Sequence, residues 1–461
     1  MRSIAALPLV ALALLGAKPA DDIATAERLR DAALAGNRAY ELVESLTTEV
    51  GPRLAATDKE AQARAWAVAK LKALGFQNVR IEPFDMPSWV RGVETAQVVG
   101  EHSQPLAITA LGRSGATPAE GIEAEIVHFD SIDALRAAPE GSLAGKIAFV
   151  THRMMPAQDA SSYGFFGVVR RSAPSIAATK GAVAVLIRSL GTDYHRNPHT
   201  GGTSWTEGQT PIPAAALSLP DSDQLERLLK RGKPVRVKLT LTPRQLGTQK
   251  SGNVIAEIVG REAPDEVVVI GGHLDSWDLA TGAIDDGAGV AITTAAAKVI
   301  LDQKLKPRRT IRVVLWGAEE PGIYGAIAYA KAHANEKHVA AAESDLGAGR
   351  IWKFGHRVAD TGKPLMETIA RVLAPLGITH DRGNDNRGGP DVTPLAALGV
   401  PSLSPEQDGT DYFNLHHTPD DTLDKIDPKA LDQNVAAYAA MTWLVANSDA
   451  SLGPVPAEPA R

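Results

Sequence analysis

Residues 266–277 read EVVVIGGHLDSW, and this stretch decides the fold class. Residues 266–271 form a short apolar run rich in valine, which predicts a buried strand. The chain then turns polar, with a histidine at 273 and an aspartate at 275. A strand that is apolar along its length is typical of a parallel sheet covered on both faces, where functional residues gather at the carboxyl ends of strands.

The same pattern repeats on both sides of this stretch. Apolar strands that alternate with helices predict an α/β fold, with a mostly parallel mixed sheet flanked by helices. Upstream, the periodicity over 61–74 predicts a helix that ends at Gly75, and a short strand follows at 79–81. The other predicted strands are 254–259, 310–316, 339–344 and 400–404, and the other predicted helices are 288–305, 325–334, 364–376 and 431–446.

A region of different composition interrupts this alternation between about 105 and 240. It has its own strand signals and a polar loop over 191–210 that is rich in Gly, Thr and His. We interpret the region as a small β-rich domain inserted into a larger one. The predicted division is a signal peptide (1–20), the first part of the larger domain (21–104), the inserted domain (105–245), the second part of the larger domain (246–450) and a flexible tail (451–461).

The composition limits the chemistry of the chain. Its 461 residues carry 48 Lys and Arg against 54 Asp and Glu, a formal charge of −6, and no cysteine. The acidic balance argues against nucleic acid as a partner. Because there are no thiolates, any bound metal must rest on His, Asp and Glu.

The amino-terminal residues have the shape of a secretory signal. Arg2 precedes an apolar run over 4–16, which is too short to predict a membrane span. No later stretch is apolar for long enough to span a bilayer. The sequence therefore predicts an exported protein, periplasmic or secreted, whose mature form does not contact the membrane.

Acids and histidines occur at five places that follow predicted strands or precede predicted helices. Each place alone has an ordinary explanation as a surface turn, a helix cap or a solvated acidic loop. Together they should face one edge of the sheet, where they could hold two zinc-like ions that share a carboxylate, with a neighbouring acid as general base. The five places are His273 with Asp275, Asp285 with Asp286, Glu319 with Glu320, Glu343 with Asp345, and His416 with His417.

Five segments of the chain are similar to a known family. GGHLDSW, GAIDDGAGV, WGAEEPG, ESDLG and HHTPDDT resemble the motifs of the di-zinc exopeptidases of metallopeptidase family twenty-eight. The resemblance is strong over 250–447 and looser elsewhere. KGAVAVLIR and NPHTGG make the inserted region look like a protease-associated domain. The resemblance implies a zinc-exopeptidase fold with two Zn²⁺ ions.

The resemblance also implies a role for each site residue. Asp285 would bridge the two ions, His273 and Asp345 would complete one metal site, and Glu320 and His417 would complete the other. Glu319 would be the general base, and Asp275 would act with it by orienting His273.

Three residues are implied for substrate binding or oxyanion stabilisation. Asp391 matches an aspartate near the family's substrate pocket, although Gly389-Pro390 replaces the more usual Arg-Ser. Many relatives have a tyrosine directly before the ligand histidine, whereas this chain has His416, as one branch of the family does. The usual tyrosine role would then fall to Tyr412 or to His416.

The resemblance implies hydrolysis of dipeptides or short peptides by a metal-activated water, and the family's habit favours recognition of a free amino terminus. The polarity stays open, because Arg382 or Arg387 could serve a substrate carboxylate. One alternative is another di-metal hydrolase, either a deacetylase-like amide hydrolase or a phosphoesterase, although no Arg/Lys clamp clusters in the sequence. The other is a non-catalytic binding protein on the same fold. A homodimer is the expected assembly.

Overall fold

The computed structural model describes residues 19–456. The predicted signal peptide lies outside the described residues, except for its last two positions, which begin the first helix. The described chain has the following α-helices: α1 (Pro19–Ala35), α2 (Ala39–Glu49), α3 (Asp58–Ala73), α4 (Ile132–Ala137), α5 (Ser161–Thr179), α6 (Leu219–Leu229), α7 (Ala288–Asp302), α8 (Tyr324–Ala332), α9 (Lys363–Leu373), α10 (Thr393–Ala397) and α11 (Pro428–Asn447).

The strands of the described chain belong to two sheets of eight strands each. In chain order they are β1 (Gln77–Val90), β2 (Glu94–Val99), β3 (Gln104–Leu106), β4 (Ile108–Ala110), β5 (Ile122–Phe129), β6 (Ile147–Val150), β7 (Ala184–Arg188), β8 (Ala214–Leu217), β9 (Arg236–Leu241), β10 (Arg244–Ile258), β11 (Ala263–His273), β12 (Arg309–Trp316), β13 (Lys337–Glu343), β14 (Ile351–Arg357), β15 (Thr379–His380) and β16 (Ser402–Gln407).

The main sheet has the strand order β1-β10-β12-β11-β13-β16-β14-β15. Its centre is parallel, because β11 pairs in parallel with both β12 and β13, and β13 pairs in parallel with β16. The antiparallel pairs are β1 with β10, β10 with β12, and β14 with β16, whereas the edge strand β15 pairs in parallel with β14. The predicted α/β class, with a mostly parallel mixed sheet flanked by helices, is confirmed.

Alternate residues of the central strands pack on opposite faces of the main sheet. Val268 and Ile270 join the large core formed with α2, α3, α7 and α11. Val267 and Val269 join a smaller core formed with α8 and α10. Each buried Val or Ile contributes roughly 1.5–3 kcal/mol, so both faces stabilise the strands that carry the site.

The strand β1 is longer than the sequence predicts. Residues 79–81 were the only strand signal in this region, whereas the strand covers Gln77–Val90 and pairs with β10 along its length. It lies at the edge of the sheet, and most of its residues are exposed or half-buried until Met86. An edge strand is held by backbone hydrogen bonds to its neighbour and is not buried on both faces, so it needs few apolar residues. The hydrophobic pattern of residues 77–90 therefore indicated a strand only weakly.

The second sheet has the order β3-β2-β9-β5-β6-β7-β8-β4, and β5 to β8 form its parallel part. Apolar cores cover both of its faces, and α4 and α5 pack on one of them. Because β2 pairs with β9, this sheet already includes residues 94–99, ahead of the predicted boundary at 105. The division into the larger domain and the inserted domain stays a prediction.

The predicted flexible tail contacts the fold over its first residues. Leu452 is 2% exposed and belongs to the large core, and Val455 donates its backbone N–H to Gly399 O. Residues 457–461 lie outside the described range. In the described chain, the helices are all too short or too polar to cross a membrane.

We expect Gly289→Ala to destabilise the fold. A Cβ at Gly289, near the start of α7, would lie 1.8 Å from the carbonyl oxygen of Ser344. Such overpacking costs about 1–3 kcal/mol or more, which outweighs the roughly 1 kcal/mol that alanine gains over glycine in a helix. The control is Gly164→Ala in α5, where a Cβ meets nothing within 4 Å. Urea unfolding should show a loss for Gly289→Ala and no loss for the control, and equal midpoints would contradict the packing argument.

Candidate metal centre

The five predicted metal ligands lie together at the carboxyl edge of the main sheet. The strand β11 ends at His273, β12 ends just before the turn that carries residues 319–320, and β13 ends two residues before Asp345. Because β11 runs parallel to β12 and β13, these ends meet at one edge. Asp285 precedes α7, and His417 lies in the loop before α11.

His273, Asp285 and Asp345 form what we call the first subsite. His273 Nε2 lies 3.0 Å from Asp285 Oδ1 and 3.5 Å from Asp345 Oδ1. One ligand atom from each residue lies within 4.8 Å of the others. This spacing suits an ion whose bonds to nitrogen and oxygen are about 2 Å long.

Asp285, Glu320 and His417 form the second subsite. His417 Nε2 lies 3.1 Å from Asp285 Oδ2 and 3.0 Å from Glu320 Oε2. The two oxygens of Asp285 therefore face different histidines, one in each subsite. A carboxylate placed in this way can bridge two ions. His416 also approaches, with its Nε2 3.7 Å from Asp285 Oδ2, and is grouped with Asp285 and His417 by ligand spacing.

The hydrogen bonds of the two predicted ligand histidines leave their Nε2 atoms available to bind a cation. His273 Nδ1 lies 3.0 Å from the carbonyl oxygen of Asp275, and His417 Nδ1 lies 3.1 Å from that of Thr200. A carbonyl only accepts, so the bond to Asp275 makes Nδ1 the protonated nitrogen of His273. The carbonyl of Thr200 favours the same tautomer of His417, although the donor Arg170 Nη1 also lies 3.3 Å from that Nδ1. In this tautomer of the neutral ring, Nε2 keeps a lone pair. Those lone pairs face carboxylate oxygens, an arrangement that requires a positive charge between them.

Unpartnered oxygens point to the same need. Asp285 Oδ2 and Glu320 Oε1 are buried and accept no hydrogen bond in the described chain. A buried acceptor without a partner costs free energy. Burial opposes ionisation of His273 and His417, yet the surrounding carboxylates raise the pKa of both well above its usual value. The cluster thus demands positive charge, and the donor set of imidazoles and carboxylates suits zinc.

Asp275 acts differently from the prediction. Its carboxylate oxygen is 3.8 Å from His273 Nδ1, so its backbone carbonyl rather than its side chain accepts from that ring. The carboxylate instead accepts the backbone N–H of Glu319 at 3.0 Å and that of Glu320 at 3.3 Å. Burial raises the pKa of Asp275 to about 7. One residue therefore positions both His273 and the turn that carries the predicted base.

Glu319 lies beside both subsites and lines the cavity above them. Burial raises its pKa well above the ordinary value, and the charges of Asp345 and Glu320 add to the rise while the imidazole of His273 opposes it. A carboxyl group with a raised pKa in a cleft is suited to accept and return a proton. The geometry supports the predicted role, which stays a prediction.

The three residues predicted for the substrate are placed differently from one another. Tyr412 and His416 line the cavity, and the His416 ring stacks on His417 with centroids 3.5 Å apart. Burial and then the charge of His417 lower the pKa of His416 well below its usual value. Asp391 is fully buried behind the cavity, and its backbone N–H donates to Glu343 Oε2 at 2.8 Å. Its carboxylate does not line the cavity.

The cavity above the metal cluster has a volume of about 510 Å³. Loops and helices next to both sheets line it, and the loop 191–210 contributes Gly202, Thr203 and Ser204. No cluster of arginines was expected from the sequence, whereas the structure brings three together at this cavity. The arginines that line the cavity are Arg113, Arg170 and Arg171, all from the region of the second sheet. Arg382 and Arg387 do not line it.

Sequence reasoning missed the groups that hold the ligands in place. Arg53, from the loop after α2, is fully buried and donates to the carbonyl oxygens of Leu274, Thr281 and Gly282. It therefore pins both ends of the loop between His273 and Asp285. A lone arginine far from the motifs gives no local signal for such a role.

Other supports lie inside or beside the motifs. Asp286 accepts the backbone N–H of His273 and that of Gly289, each at 2.9 Å. Asp421 accepts from Ile284 N at 2.6 Å, which fixes the segment before Asp285. In GAIDDGAGV and in HHTPDDT, the second of the two adjacent aspartates therefore holds the backbone close to a predicted metal ligand.

We expect Arg53→Met to weaken zinc binding by about 10- to 100-fold, as loss of a group that orients ligands does. The loop between His273 and Asp285 would lose three hydrogen bonds. Titration against a chromophoric chelator measures the affinity, and circular dichroism confirms folding. Arg53→Lys keeps the charge and should fall between wild type and Arg53→Met. The control is Arg382→Met, because the side chain of Arg382 is 72% exposed. If the control lost as much zinc affinity as Arg53→Met, the role of Arg53 in holding the ligand loop would be contradicted.

Comparison with known proteins gives consistent similarities. Residues 253–442 match the model of peptidase family M28. Carboxypeptidase Q from Bos taurus is 35% identical over 422 residues, which cover 91% of this chain and 87% of that protein. The crystal structure of a peptidase M28 precursor from Shewanella amazonensis has a TM-score of 0.93 and 50% identity, and covers 96% of this chain and 100% of that one.

A more distant structure shares the fold. A zinc aminopeptidase from Bacillus subtilis has a TM-score of 0.63 at 20% identity, over 88% of this chain and 94% of that one. These similarities confirm the predicted family, whereas the protease-associated nature of the second sheet stays a prediction.

Proposed function

The chain belongs to peptidase family M28, and from this premise we propose that it is a zinc-dependent exopeptidase that hydrolyses dipeptides or short peptides with two ions bridged by Asp285. The observation that carries the proposal is the division of the Asp285 carboxylate between two histidines. His273 and Asp345 would complete the first subsite. Glu320 and His417 would complete the second.

The residues of the site divide the work of hydrolysis. Zinc held by His273, Asp285, Asp345, Glu320 and His417 would supply Lewis acidity toward a water and toward the carbonyl of the scissile bond. Glu319 accepts the proton of the attacking water at its carboxylate and returns it to the leaving amine. Asp275 holds the turn that presents Glu319. Tyr412 and His416, which line the cavity, are the side chains available to the developing oxyanion.

Two alternatives are weaker. A deacetylase-like amide hydrolase would use the same ligands, but the relatives that cover most of this chain are named as peptidases. A non-catalytic binding protein would not need a further carboxylate beside the ligands that faces the cavity, which Glu319 provides. Export through the predicted signal peptide to the periplasm or outside the cell, and assembly as a homodimer, complete the proposal.

Metal analysis with a peptidase assay tests the proposal. We expect purified protein to carry about two zinc ions per chain and to release amino acids from an unblocked dipeptide such as Ala-Leu. Chelation should abolish hydrolysis, because the attacking water is no longer acidified, and added zinc should restore it. Metal-free protein that hydrolyses Ala-Leu at the wild-type rate would contradict the proposal, as would zinc-loaded protein that hydrolyses no peptide.

A further inference from the structure

The loop 191–210, from the region of the second sheet, contacts the segment of the chain that carries the histidine pair of the metal centre. We call residues 413–420 the histidine segment. Hydrogen bonds join the loop to both ends and to the middle of this segment, namely Thr192 N to Phe413 O at 3.1 Å, Thr200 N to His417 O at 3.0 Å and Asn197 Nδ2 to Asp420 Oδ2 at 3.0 Å. The loop therefore holds the histidine segment along its length.

The backbone of His417 adopts a conformation that needs support from outside its own segment. Its φ of +62° lies in the left-handed region, which costs a residue with a Cβ roughly 1–2 kcal/mol. The carbonyls of residues 416 and 417 flank its Cα, and the loop binds both of them. His199 Nδ1 donates to His416 O at 2.7 Å, and Thr200 N donates to His417 O at 3.0 Å. Both backbone torsion angles of this predicted ligand are thus fixed from the region of the second sheet.

His199 is itself held rigidly. Its side chain is 1% exposed, and its Nε2 lies 2.8 Å from Oδ1 of Asp193, which is also buried. A carboxylate on one ring nitrogen fixes the orientation of the ring and directs the other nitrogen at its acceptor. The backbone N–H of His199 donates to Ser189 Oγ at 2.9 Å, directly after β7. The pair of Asp193 and His199 is therefore anchored to the second sheet.

We propose that Asp193 and His199 are positioning residues for the second subsite, because they hold the backbone that directs His417 Nε2 toward its ion. The inference rests on the proposed zinc function and gives the region of the second sheet a part in metal binding. The first subsite is held differently, since the carbonyl of Asp275 orients His273 from within the main sheet region. Loss of the pair should therefore weaken one of the two ions.

Calorimetric zinc titration of metal-free protein tests the proposal. His199→Leu removes both ring donors, and we expect it to weaken one of two binding steps by about 10- to 100-fold, as loss of a group that orients ligands does. The other step should keep its wild-type affinity. His199→Asn retains an N–H close to the position of Nδ1, so it should restore part of the lost affinity. Asp193→Ala should weaken the same step by less than His199→Leu, because His416 O keeps its donor.

The matched control is His152→Leu, which removes a buried histidine from the same region. The Nε2 of His152 lies 3.1 Å from the carbonyl oxygens of Arg188 and Ser189, so its ring binds backbone outside the histidine segment. Both leucine variants should lower the midpoint of urea unfolding, because each loses buried hydrogen bonds. His152→Leu should nevertheless keep both zinc steps, whereas His199→Leu should not.

The outcomes separate this proposal from the one on which it rests. The positioning role would be overturned if His199→Leu kept both steps at wild-type affinity, or if it weakened both steps equally. Circular dichroism confirms folding, and should His199→Leu not fold, wild-type affinities in both His199→Asn and Asp193→Ala would overturn the role instead. Wild-type protein that binds no zinc would overturn the proposed function itself.

Discussion

Glu319→Gln is expected to lower kcat for dipeptide hydrolysis by about 10²–10⁴-fold, the contribution of a positioned general base, while the zinc content stays near two per chain. Glutamine keeps the size and the hydrogen-bonding capacity of the side chain but cannot accept the proton. Folding and metal binding should therefore survive. Steady-state kinetics and metal analysis on the same preparation measure both quantities.

The same substitution at the neighbouring Glu320 is expected to have a different effect. Glu320→Gln removes a carboxylate that lies 3.0 Å from His417 Nε2 in the second subsite, so it should lower zinc content as well as activity. Glu367→Gln, in an exposed ion pair with Arg382, is the neutral control. Wild-type turnover in Glu319→Gln would show that another group takes the proton. Loss of zinc from Glu319→Gln would show instead that this residue is a ligand.

The fold and the ligand positions could be predicted because both depend on local pattern. The apolar run that ends in His273 indicated a buried parallel strand, and the carboxyl ends of such strands meet at one edge. Asp285, Glu320, Asp345 and His417 lie in segments next to predicted strands or helices. Their convergence therefore followed from topology, and the structure places them within one cluster.

The cavity wall could not be predicted in the same way. Arg170 and Arg171 lie in α5, which packs on the second sheet, and Arg113 lies in the loop between β4 and β5. Their position in the cavity above the metal cluster depends on how the two sheets and their helices pack together, which no local pattern encodes. The same is true of Thr200, whose backbone carbonyl orients His417 from a loop 217 positions away in sequence. A backbone group carries no side-chain signature.

The role of Asp275 shows a finer limit. The family resemblance implied that the Asp275 carboxylate orients His273, and residue 275 does contact the ring. The contact comes from the backbone carbonyl, however, and the carboxylate holds the backbone of the 319–320 turn. Spacing identifies which residue is near, but rotamer and hydrogen-bond competition decide which atom makes the contact.

Asp285→Asn is expected to weaken both zinc ions at once. Structural zinc binding of roughly 10–16 kcal/mol shared among four ligands gives about 3 kcal/mol per ligand, or about 10²-fold in affinity. Because each oxygen of Asp285 faces a different histidine, the loss should apply to both subsites. Asparagine offers one carbonyl oxygen and one amide nitrogen, so it cannot bridge. Hydrolysis should fall with the metal.

Calorimetric titration of metal-free protein separates the bridge from the single-site ligands. Asp345→Asn and Glu320→Gln should each weaken one of two binding steps, whereas Asp285→Asn should weaken both, and the exposed Asp424→Asn should weaken neither. If Asp285→Asn bound zinc in two steps with wild-type affinities, a bridging role of Asp285 would be ruled out. If Glu320→Gln keeps both steps and His416→Ala loses one, then His416 completes the second subsite, as its 3.7 Å approach to Asp285 allows. The stacked histidine pair would then supply two ligands to one ion, and the oxyanion would depend on Tyr412 alone.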